Sequence, residues 1–162
     1  MLVETTHPDT GETIVLDIPN LTEDQVRDMA HEHASDDQLR RKLENLPLSA
    51  EGKAFIARFL KFTLKVGGVA IKLGKKLLEI AIFLTTKLTH LTFWMVLAAV
   101  LTFVISLLPL IGPTLAAFLG PLILVGGLGK GIYEQIKTQQ PQMVAVLDEA
   151  TINLRPLAGQ AA

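Results

Sequence analysis

The chain contains no cysteine. That removes disulfides, thiolate metal sites and cysteine nucleophiles, and it leaves the redox compartment open. Aromatic side chains are sparse, with one Trp, one Tyr and seven Phe among 162 residues. Proline is missing from Ala50 to His90, so no ring interrupts helical periodicity there. The most informative absence is charge. From Leu91 to Gly129, 39 consecutive residues include no Asp, Glu, Lys or Arg. The N-terminus also lacks the basic and apolar regions of a secretory signal, and Glu4, Asp9 and Glu12 are wrong for one.

What is present is segregated. Residues 1–50 hold eleven acids and four bases, residues 51–90 two acids and eight bases, and residues 130–162 three of each. Such blocks mark separate environments. They divide the chain into an acidic soluble region over 1–48, a basic segment over 49–90, an apolar segment over 91–129 and a tail over 130–162.

Near the start, residues 2–6 and 12–18 read as two short strands, joined by His7-Pro8-Asp9-Thr10-Gly11 as a turn. Thr22-Glu23-Asp24-Gln25 and Ser35-Asp36-Asp37-Gln38 are capping boxes, predicting helices over about 23–34 and to about Asn45. Ser49 caps a third.

That third helix is expected to run from Ala50 to about His90. At 100° per residue, Arg58, Lys61, Lys65, Lys72, Lys75, Lys76 and Lys87 fall on one arc of roughly 120°. The stripe suits a helix lying on an anionic leaflet. A soluble bundle is a weaker reading, and nucleic-acid binding is set aside because basic residues alone are not specific. Gly67, Ala70, Gly74 and Ala81 form a small-residue line for close helix packing, and Gly127 and Gly131 repeat the theme later.

Leu91–Ile111 contains thirteen Leu, Ile, Phe or Val, with Trp94 near one end as an interface anchor and Tyr133 as its counterpart after the run. One helix over all 39 residues would be about 58 Å long against a hydrocarbon core of about 30 Å. Pro109, Gly112 and Pro113 are placed to turn it back. The expected fold class is therefore mainly α and integral to a membrane: a small N-terminal β-hairpin, short helices, a long basic amphipathic helix and a two-helix transmembrane hairpin. The positive-inside rule puts both termini on the cytoplasmic side of a bacterial or virion membrane.

No chemistry emerges. Gly126-Gly127-Leu128-Gly129-Lys130-Gly131 fails as a phosphate loop, because Leu124 and Gly131 occupy positions that need Gly and Ser or Thr. His31 and His33 point about 200° apart on a helix and cannot share a metal. No cofactor, metal or catalytic set is assigned. The expected function is non-enzymatic: scaffolding or shaping a membrane, within a larger complex or a membrane-containing virion, with self-association or a membrane-protein partner. A soluble partner is allotted to residues 1–48. The alternative is a pore-forming or holin-like protein whose lysine helix lines the pore. The acidic region is also expected to fold against the basic segment.

Overall fold

The computed structural model describes residues 1–7, 10–31, 35–46, 48–87, 92–111, 113–114, 138 and 141–159. The N-terminal hairpin forms from β1 (Leu2–Thr6) and β2 (Thr13–Asp17). It is one half of a four-stranded antiparallel sheet in the order β2-β1-β3-β4. A lone hairpin is marginal in water, and here the second hairpin supplies what it needs. Strands β3 (Leu64–Val66) and β4 (Val69–Ile71) come from the segment read as helix.

Both capping boxes are made. The Thr22 hydroxyl accepts from the Gln25 amide at 3.3 Å while Gln25 accepts from the Thr22 amide at 3.0 Å. Helix α1 (Glu23–Ala30) follows. Ser35 and Gln38 repeat the exchange at 3.2 and 3.0 Å and start α2 (Asp36–Glu44). Ser49 accepts from the Gly52 amide at 3.1 Å and starts α3 (Ala50–Phe59).

The expected long basic helix does not exist. The segment is α3, then β3 and β4, then α4 (Leu73–Lys87). Its break is Gly67-Gly68, with φ of +55° and +82°. Two consecutive positive φ angles fit the primed turns that join antiparallel strands and cannot sit in a right-handed helix. A permeabilising helix lined by lysines, as the alternative reading required, has no continuous helix to use.

The integral-membrane expectation is also corrected. No helix among the described residues is long and apolar enough to cross a membrane. The expected first leg becomes α5 (Phe93–Leu107), which has 15 residues, or about 22 Å at 1.5 Å per residue, against roughly 30 Å of hydrocarbon. Thr92 caps its start, accepting from the Met95 amide at 3.3 Å. Leu108, the residue before Pro109, leaves helical geometry at φ −114°, ψ 79°. The transmembrane fold, the membrane-spanning keywords and the location across a bilayer with both termini on one side therefore lose their structural basis. Most of the second leg, Gly112–Gly129, lies outside the described residues.

The physical reason is that protein covers the apolar surface. Helix α4 packs along α5. Val96, Leu97, Ala99, Val100 and Val104 of α5 are fully buried, as are Leu77, Leu78 and Ala81 of α4. They join one core with Val3, Leu64 and Ile71 from the sheet and Leu147 and Leu157 from the end of the chain. Each such side chain contributes about 1.5–3 kcal/mol by leaving water. A helix that is apolar on every side is found either in lipid or at the centre of a globule.

Helix α6 (Pro141–Ala150) and a 3-10 segment (Ile152–Ala158) complete the described chain. The latter packs on α1, and the Asn20 amide donates to the Gly159 carbonyl at 3.3 Å.

Candidate functional site

The residues singled out from the sequence do not gather into one surface. Arg58 is half-buried on α3, and Lys61 is exposed between α3 and β3. Lys65 is exposed on β3, paired in register with Glu4 of β1. Lys72 precedes α4, and Lys87 ends it, its ammonium 5.6 Å from the Phe83 ring centre.

Lys75 is the exception that organises its surroundings. Its side chain is only 5% exposed and donates to Asp36 at 2.9 Å, although Asp36 itself is 75% exposed. Lys76 donates to the His31 carbonyl at 2.8 Å. The hydrogen bond from Lys75, then the charges of Lys75 and Lys72, hold the Asp36 carboxyl below its ordinary value. The acidic N-terminal region thus grips the first turn of α4.

The small residues also separate. Gly67 sits in the β3–β4 turn and Ala70 is exposed on β4, while Ala81 is buried in α4. Gly74 does permit a close approach, but within the chain: a Cβ there would lie 2.0 Å from the Phe59 carbonyl oxygen. Trp94 packs against Gly52 and edge-on to Phe55 at 5.9 Å. Pro109 and Pro113 are exposed. Gly112, Gly127, Gly131 and Tyr133 lie outside the described residues. Among the described residues no three His, Asp or Glu gather as metal ligands.

The feature that sequence reasoning missed is a sheet edge. Partners along β1 and β2 are Leu2 with Asp17, Val3 with Leu16, Glu4 with Val15, Thr5 with Ile14 and Thr6 with Thr13. The flanking bonds fix which groups face inward. The Ile18 amide donates to the Met1 carbonyl at 3.0 Å and the His7 amide to the Glu12 carbonyl at 2.7 Å. By alternation, Ile14 and Leu16 also bond β1, and the N–H and C=O groups of Thr13, Val15 and Asp17 point the other way. β2 ends the strand order, and β1 is its one extensive neighbour among the described elements. The opposite edge, β4, is packed against α1.

The side chains reinforce the edge. Val15 is 56% exposed and Leu2, diagonal to it on β1, is 64% exposed. Ile14 and Leu16 face the core but are only partly buried. The strand has no Pro or Lys, its register with β1 is unbroken by a bulge, and its one charge, Asp17 at the end, is paired with the Met1 ammonium at 3.2 Å. Proline, lysine and bulges are among the devices that natural proteins use to blunt an edge.

No family model matches the chain, and no curated protein and no solved structure matches it.

Proposed function

We propose that this protein is a non-enzymatic scaffolding module that joins another polypeptide by strand addition at β2. The observation that carries the reading is the row of outward-pointing backbone groups at Thr13, Val15 and Asp17, bordered by exposed Val15 and Leu2. Main-chain bonding to an added strand supplies affinity, and alternate side chains supply selectivity. The remainder of the fold gives this edge rigidity. Val3 and Thr5 of β1 are buried, and the Thr5 hydroxyl donates to the Thr63 carbonyl at 3.3 Å.

The test is a titration of isotopically labelled protein with a soluble alternating threonine–valine peptide, followed by amide NMR. The expected result is a set of shifts centred on Thr13, Val15 and Asp17 that is lost in Val15→Pro. That variant removes an outward N–H and leaves the bonds to β1 in place. Shifts elsewhere, or equal shifts in the variant, would contradict the reading.

A further inference from the structure

We infer that the polypeptide added to β2 is a second copy of this chain, paired antiparallel across a two-fold axis at Val15. The inference rests on the edge reading above and adds the identity of the partner.

The register follows from the outward groups. An axis at Val15 sets Val15 against Val15 of the second copy and Thr13 against its Asp17, in both directions. All three outward residues of each strand are then used, giving about six backbone hydrogen bonds. Every other axis along the strand wastes one of them. An axis at Thr13 or Ile14 sets Val15 or Asp17 against Gly11 in the turn. An axis at Leu16 sets Thr13 against Pro19, which has no N–H to give. An axis at Asp17 opposes two carboxylates.

Both faces of the joined sheet are complementary in this register. On the water side, the two exposed Val15 side chains meet at the axis and the Thr13 hydroxyl faces a carboxylate. On the core side, Ile14 lies opposite Leu16 of the second copy, covering surface that the single chain leaves partly exposed. Like charges are kept apart. The two Glu4 residues are separated by three strand spacings, about 14 Å, which exceeds the screening length of about 10 Å at moderate salt. Each Glu4 already has Lys65 as its cross-strand neighbour.

The assembly also stops. In the joined eight-stranded sheet the outer edges are the two β4 strands, each packed against its own α1. A two-fold contact uses the same surface on both copies, so it closes at the dimer and does not propagate as a fibre. Strand pairing this short buries less than the roughly 1,200 Å² of a stable interface. The dimer is therefore reversible and concentration-dependent.

Sedimentation equilibrium of the full chain over a wide concentration range tests the inference, with Val15→Lys and Val15→Glu as variants. The wild type should pass from monomer to dimer. Each variant alone should stay monomeric with an unchanged circular dichroism spectrum and melting point. An equimolar mixture of the two should dimerise again, because only the Val15 axis brings residue 15 against itself. A wild type that remains monomeric at every concentration overturns the inference, as does a Val15→Lys protein that dimerises as well as wild type, or a mixture that stays monomeric. A monomeric wild type that still binds the threonine–valine peptide at β2 leaves the edge reading standing. A monomeric wild type that binds no peptide removes both.

Discussion

The two edges of the sheet are built from similar residues and meet opposite surroundings. β4 carries Val69 and Ile71, and Ile71 is fully buried. β2 carries Ile14 in the same cross-sheet row and on the same face as Ile71, and Ile14 is only partly buried. The strands differ less in their own composition than in what the chain does next. After β4, Lys72 leads straight into α4, whose first turn is tied to the acidic region through Lys75 with Asp36 and Lys76 with His31. Those contacts secure the connection around α1, which packs on β4. After β2, Pro19 and Asn20, the latter at φ 64°, redirect the chain into α1 and leave the edge behind. Coverage of an edge is thus decided by long-range contacts that no local pattern encodes.

The comparison breaks most visibly at Gly74, where α4 meets the backbone of α3. Gly74→Leu places a Cβ against the Phe59 carbonyl oxygen, which cannot swing aside as a side chain would. Urea denaturation should show a loss of about 3 kcal/mol or more, or no cooperative transition. Ile71→Ala and Val15→Ala then compare a core-facing residue of β4 with a water-facing residue of β2. The first empties a fully buried site and should cost about 2–5 kcal/mol. The second trims an exposed side chain and should stay within about 0.5 kcal/mol. Similar values for the two would contradict the burial that separates the two faces of the sheet.

The turn between β3 and β4 falls between those two in size. Gly67→Val forces a β-branched residue to φ +55° and should cost about 1–2 kcal/mol by the same measurement.

Asp36 supplies the pH-dependent test. Its carboxyl titrates below the ordinary 3.8 in the folded state, through the hydrogen bond from Lys75 and then the Lys75 and Lys72 charges. A lowered folded value contributes stability that is present above pH 3.8 and is lost as pH falls through the folded value. Melting temperature followed against pH should fall across that acid window in the wild type, and Asp36→Asn should flatten this part of the profile while lowering the plateau at neutral pH. An unchanged acid limb in Asp36→Asn would show that the pair adds nothing.

Some of the fold is legible in local chemistry. The hairpin of β1 and β2 follows from alternation on either side of Thr10-Gly11, and both capping boxes sit where Thr22, Gln25, Ser35 and Gln38 announce them. Val66-Gly67-Gly68-Val69 carried an equally local signal, two glycines between β-branched residues. The absence of proline from Ala50 to His90 and the regular recurrence of lysine favour one helix instead. The lysine stripe was a coincidence of spacing across four elements, and Lys75, read as surface, is the most buried of its members. The surroundings of helix α5 were not legible in principle. Phe93, Val96, Leu97, Val100 and Val104 satisfy lipid and a protein core equally well, and only its length between the Thr92 cap and Pro109, together with the fit of α4 against it, separates the two. The open edge was invisible for a complementary reason. Thr13–Asp17 reads as a strand, but nothing within it tells which side has no neighbour among the described elements.

Residue-resolved amide hydrogen exchange along β2, measured at low and at high protein concentration, tests the open edge most directly. At low concentration Ile14 and Leu16 should exchange slowly and Thr13, Val15 and Asp17 fast, a period of two that follows from bonding on one side only; at high concentration the three fast amides should become protected. Uniform protection along the strand at low concentration, or three amides that stay fast however concentrated the protein, would contradict it.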